Sequence, residues 1–200
     1  MPVAVTIEPA ASAALNPPRK RWTRAECEVL ERSGLLANEH LELIDGELIT
    51  KMGKNRPHVI LVKRLLIWLV RVFGEEFVNA EAPTDVASGD NPTNEPEPDI
   101  IVLKRPDAEI RDRNPQPDEV ALLVEVSDSS RSFDLSVKAA LYARAGIVEY
   151  WVLDINARRM VVHREPEAGV YRSVIAYGEE ESVTPLAAPS AALRVGDVLL

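Results

Sequence analysis

The chain has a single cysteine, Cys27, among its 200 residues. This excludes an internal disulfide and any zinc site built on several thiolates. Nothing then ties the protein to an oxidising compartment, and the cytoplasm is the expected location. Positive charge is also scarce, with 23 Lys and Arg against 32 Asp and Glu and a net charge of -9. That balance argues against a protein that coats nucleic acid by charge, while leaving room for a local basic rim around an acidic metal site. The longest apolar runs, 59–62 and 65–70, are split by Lys63 and Arg64. Both fall well short of the roughly 20 residues that cross a bilayer, so no membrane partner is expected. There is no Walker A, no GxGxxG, no HExxH and no internal repeat. Residues 1–20 are rich in Ala and Pro and have no basic stretch before an apolar core. They read as a flexible tail and not as a secretory signal, leaving 21–200 as a single domain.

What is present is ordinary for a globular domain: 46% hydrophobic and 28% charged residues. The chain is long enough to bury a core without staples. Thr23-Arg24-Ala25-Glu26 is a capping box opening a short helix to about Ser33. In residues 41–49 an Asp45-Gly46 pair sits between alternating residues, the signal of a two-residue hairpin turn. Ile44 then faces Glu47, and Glu42 faces Ile49. From Pro57, apolar residues at 59, 62, 65, 66, 69, 70 and 73 recur at helical spacing, and Gly74 ends the run. Strands are predicted over 77–86, 99–103 and 120–126, the last buried on both faces by its composition. A helix follows from Ser132 or Phe133 to Ala145, then strands over 148–154, 160–163 and 170–176. The layout is mixed α/β or α+β around a central sheet.

Glu125 stands out. A carboxylate within a near-continuous apolar strand is costly unless paired, protonated or bound to metal. Asp99, which opens another apolar strand, poses the same question more mildly. If the two strands are neighbours, these acids could share a divalent cation, since Mg²⁺ takes one or two carboxylates plus waters and phosphate. The alternative is structural: Glu125 pairs with a buried base and Asp99 merely begins its strand. Asp134, Lys138 and Tyr142 fall at i, i+4 and i+8 on one helix face. They read either as a surface Asp–Lys pair worth about 0.3–0.5 kcal/mol, or as a lysine aimed back at Glu125 to position a phosphate. His58, near a helix start, reads first as a surface or cap-region residue.

The ordered set Glu97-Pro98-Asp99-Ile100, Leu123-Val124-Glu125-Val126-Ser127, Asp134 through Lys138 to Tyr142, and Gly146-Ile147-Val148-Glu149-Tyr150-Trp151 resembles the Uma2 family of endonucleases. The hairpin around Asp45-Gly46, and His58 after Pro57, resemble that family's N-terminal signature. The likeness spans about residues 20 to 165. It implies the restriction-endonuclease-like fold of the PD-(D/E)xK superfamily, a central mixed sheet flanked by helices. It further implies Mg²⁺ or Mn²⁺ on Asp99 and Glu125, with an upstream acid, Glu42 or Glu47, completing the site. His58 is brought toward the site by the same likeness. The superfamily's lysine lies two residues beyond the glutamate, where this chain has Ser127, so Lys138 becomes the substitute.

The resemblance implies a metal-dependent phosphodiesterase acting on DNA. The rival is a module that keeps the fold without the activity and binds nucleic acid or a protein partner. Homodimers suit either, with the late strands and exposed aromatics as the seam.

Overall fold

The computed structural model describes residues 19–37, 39–51 and 55–200. The tail expected over 1–20 therefore lies outside the described residues except for Arg19 and Lys20. The elements begin with α1 (Arg24–Arg32), β1 (Leu41–Ile44), β2 (Glu47–Thr50), α2 (Arg56–Phe73) and β3 (Val78–Ala80). Next come β4 (Ile100–Leu103) and β5 (Val120–Ser127). The following helix is α3 (Arg131–Phe133), a π-helical turn (Asp134–Lys138) and α4 (Ala139–Arg144) in succession. Strands β6 (Glu149–Asp154), β7 (Arg159–Glu167), β8 (Val170–Gly178), β9 (Ser182–Val183) and β10 (Leu193–Arg194) complete the order.

Strands β3 to β8 form one six-stranded sheet in sequence order. Only β5 and β6 run parallel, with the π-turn helix as the crossover between them; every other neighbouring pair is antiparallel. The sheet is mixed and helices cover it, as expected from the sequence. Alternation along the strands sorts side chains into two cores. Ile100, Val102, Leu122, Val124, Trp151 and Leu153 join one core, with Leu61, Leu65 and Leu69 of α2. Ile101, Leu103, Leu123, Tyr150 and Val152 face the opposite core, with Leu141 and Tyr142 of α4. Asp99 and Glu125 follow the parity of Ile101 and Leu123, so both belong to the α4 side.

The hairpin forms as its Asp-Gly pair predicts. Asp45 and Gly46 both have positive φ, 49° and 72°, the requirement of a tight hairpin turn. The register pairs Glu42 with Ile49 and Ile44 with Glu47. A Cβ on Gly46 would lie 2.8 Å from Arg21 Cβ, so the 19–22 segment can pack there only against glycine. The α2 helix starts one residue ahead of Pro57, with the Asn55 side chain accepting from the His58 N–H at 3.0 Å.

The strand predicted over 77–86 is a correction. Only Val78–Ala80 pairs, because Glu81 turns to φ 53° and Pro83 follows. The aromatics expected at a dimer seam are also corrected. Tyr150, Trp151 and Tyr171 are buried, the last at 9% exposure. Glu149, part of the Gly146–Trp151 motif, is buried and structural: it accepts from the Trp151 indole, the Arg164 guanidinium and the Leu186 N–H.

Candidate active site

Strands β4 and β5 pair Ile100 with Val124, and one further step in that register sets Asp99 against Glu125. Asp99 Oδ2 accepts from the Val126 N–H at 2.7 Å, which fixes the carboxylate across the strand boundary. Asp99 and Glu125 are each 5% exposed and line a cavity of about 600 Å³. Glu42, Lys138, His58 and Asp134 line it too.

Lys138 does not form the surface pair with Asp134 that its spacing allowed. It is 3% exposed, and its ammonium lies 2.8 Å from Glu125 Oε1 and 2.9 Å from Glu42 Oε2. The π-turn carries it there. The Ala139 N–H donates to Asp134 O, an i→i+5 bond that widens the helix at Lys138. Asp134 anchors the same turn: its Oδ2 accepts from the hydroxyls of Ser127 and Ser130, each at 2.6 Å. Its carbonyl accepts from Tyr150 OH at 3.1 Å. Ser127 therefore ties the sheet to the helix that carries Lys138.

Of the two upstream acids, Glu42 enters the cluster and Glu47 does not. Glu47 is half-exposed, 3.8 Å from Arg19, and borders a different cavity. His58 Nε2 lies 3.4 Å from Asp99 Oδ2, and its buried Nδ1 has no hydrogen-bond partner among the described residues. Lys51 and Asn55 also line the cavity, and the sequence reading missed both. Asn55 could have been found as an N-cap before Pro57. Lys51, held by the Glu97 carboxylate and carbonyl at 3.1 and 2.8 Å, carries no comparable signal.

Burial works against every charge here. In Lys138 it pulls the pKa down, but Glu125, Tyr142, Glu42 and Asp134 together outweigh it, and the ammonium stays charged. In Glu125 burial pushes the pKa well above the usual carboxylate range, and Asp99, Asp134 and Glu42 add to the rise against the pull of Lys138. Asp99 goes the other way: despite burial, His58 and the Val126 N–H hold it below its ordinary value. Burial also raises the Tyr142 hydroxyl, a protonated donor 3.5 Å from Glu125 Oε1.

Carboxylates thus outnumber ammonium groups along the cavity, a surplus that a cation relieves. The carboxylate donors are hard oxygens, which suit a hard divalent cation. Among the described residues no three His, Cys, Asp or Glu stand ready around one point. Asp99 and Glu125, side by side across β4 and β5, are the two carboxylates that could hold such a cation, its remaining positions being filled from outside the protein.

A family model described as "Uma2: Putative restriction endonuclease" matches residues 26–196. The chain belongs to the Uma2 family. A solved structure described as "a putative nuclease belonging to DUF820 from Anabaena variabilis ATCC 29413" is similar, with a TM-score of 0.63. The match covers 80% of this chain and 89% of that one at 14% identity, a likeness of fold. No curated protein matches the chain. Among the described residues no helix is long and apolar enough to cross a membrane.

Proposed function

We propose that the protein is a divalent-metal-dependent endonuclease that hydrolyses phosphodiester bonds in DNA. The observation that carries this reading is the convergence of Asp99, Glu125 and Lys138 on one cavity. Mg²⁺ or Mn²⁺ on Asp99 and Glu125 would supply Lewis-acid polarisation of a phosphoryl oxygen and a water of lowered pKa. The chain's own residues orient and stabilise. An ammonium has three donors, and Glu125 and Glu42 take two of those of Lys138. The third is left for a phosphoryl oxygen, where negative charge develops. Glu42 positions Lys138, and His58 positions Asp99.

Calorimetric titration of Mn²⁺ into wild type, Asp99→Asn and Glu125→Gln tests this, with circular dichroism of each and a DNA cleavage assay. Folded variants that lose both metal binding and cleavage are the expected result. Unchanged Mn²⁺ affinity in both variants removes the proposal. A second reading, a non-catalytic module on the same fold, draws on one observation: Lys138 already occupies an oxygen of both Glu125 and Glu42. It requires that wild type bind no Mn²⁺ even with a DNA oligonucleotide present.

We also take residues 21–200 to act as one domain, in the cytoplasm, as a homodimer. Support for self-association comes from β8, an edge strand with Val170, Val174 and Ile175 exposed. A monomeric mass at every concentration in sedimentation equilibrium rejects the dimer.

A further inference from the structure

A second cavity, of about 470 Å³, adjoins the acid cavity, and Ile49 and Phe133 line both. The first cavity holds the acids and Lys138, whereas the second is bordered by three bases, Arg19, Lys20 and Arg21, against two acids, Asp45 and Glu47. The basic segment is held against the hairpin turn, with the Trp22 N–H donating to Gly46 O at 2.8 Å. Its charges are engaged at the surface: the Arg21 guanidinium also donates to the Asp45 carbonyl, the Lys20 ammonium donates to both Glu26 oxygens and to the Arg21 carbonyl, and Arg19 makes one loose pair. Arg19 lies 3.8 Å from Glu47 and Arg21 lies 4.0 Å from Asp45, all four side chains more than half exposed. Lys20 pairs at 2.6 Å with Glu26, also at the surface. Exposed pairs of this kind contribute about 0–1 kcal/mol and exchange readily for another anion. In a chain of net charge -9, a run of bases beside an acid site is a local exception.

We propose that the two cavities together form a subsite for an unpaired strand of DNA. The phosphate to be cut sits at the acids, an adjacent base stacks on Phe133 against Ile49, and a neighbouring phosphate meets Arg19 and Arg21. Asp99, Glu125 and Lys138 are 3–5% exposed, so a phosphate must enter the cavity to reach them. A strand free of its partner can fold its backbone inward, while a stacked duplex keeps its phosphates on a rigid outer surface. An aromatic platform flanked by positive charge is the arrangement that binds single strands without reading sequence. The proposal takes its chemistry from the nuclease reading, but its binding test does not depend on cutting.

The test is fluorescence anisotropy with one labelled DNA oligonucleotide, single-stranded and as its duplex, in Ca²⁺. The single strand should bind about tenfold more tightly than the duplex. Phe133→Leu keeps apolar packing but removes the ring; it should weaken single-strand binding about tenfold, and Phe133→Trp should restore it. Arg19→Ala with Arg21→Ala should lower the salt slope of log affinity by about 0.7, the loss of one neutralised phosphate. Equal binding of both forms, or an unchanged Phe133→Leu, overturns the proposal. Cleavage of the single strand by Phe133→Leu at the wild-type rate fells this inference alone. Absence of metal binding and cleavage in the wild type fells the nuclease reading instead.

Discussion

Replacing Lys138 with methionine keeps the length of the side chain and removes its charge. Each contact, at 2.8 and 2.9 Å, is worth about 6 kcal/mol at an effective dielectric of 20. Burying the ions takes most of that back. The variant loses the attraction and retains the desolvation of Glu42 and Glu125, an imbalance of about 3–5 kcal/mol. For a domain of this size that lowers Tm by about 12 °C at pH 7. The deficit has a definite pH dependence. Without the ammonium, the folded-state pKa of Glu125, already raised by burial, rises further above the unfolded value. Protonated acids are tolerated, so the variant's deficit is small below about pH 4 and grows as pH rises through the folded pKa. Thermal melts of wild type and Lys138→Met from pH 4 to 8 measure it. Adding Glu125→Gln to Lys138→Met should recover part of the loss, as expected of contacting groups. A Tm change under about 3 °C at pH 7, or a deficit that does not vary with pH, refutes the assignment of a buried cation between two acids.

Metal binding should release protons. The Glu125 pKa is raised by burial and by neighbouring acids, so Mn²⁺ displaces a proton and its affinity falls as pH drops. Titrations in buffers of different ionisation enthalpy should give different apparent heats, and identical heats count against it. Far from the cavity, Glu119 accepts two Arg113 bonds at 2.6 and 2.7 Å, and these hold its pKa down at about 2. A carboxylate lowered in this way stabilises the fold above its unfolded pKa, and that contribution is lost as pH falls from about 4.5 toward 2. Glu119→Gln should therefore flatten the acid limb of a stability-against-pH curve, and an unchanged limb contradicts it. Ser127→Ala removes one of two hydroxyls from Asp134. It should cost about 1 kcal/mol in a denaturant melt, and no loss at all would mean that the bond does not anchor the π-turn.

Some of this site was legible in the residues and some was not, for physical reasons. The Asp-Gly pair specifies the hairpin register because both turn positions need positive φ. An unbroken apolar run specifies a β5 buried on both faces, which makes Glu125 conspicuous. The choice between Glu42 and Glu47 was not readable from alternation. The register puts both acids on one face of the hairpin, with Ile44 and Ile49. Distance from the turn separates them: Glu42 lies one pair farther in, over the cavity, and Glu47 sits at the turn beside Arg19. That β4 and β5 are neighbours, which sets Asp99 against Glu125, is a long-range fact that no local pattern carries.

The lysine was hardest to read, because a charged residue one helical turn from an aspartate has the pattern of a solvated pair. Helical periodicity assumes 3.6 residues per turn, and the chain departs from it at Asp134–Lys138. The departure has a cause in the adjoining strands. Ser127 and Tyr150 both bond to Asp134, one to its side chain and one to its carbonyl. That carbonyl accepts from the Ala139 N–H five residues on. A lysine at position 127 would lie on the same strand face as Glu125 and would remove the hydroxyl that binds Asp134. The serine and the helix-borne lysine are thus two halves of one arrangement: the residue that vacates the strand position also anchors the turn that brings a cation back to it.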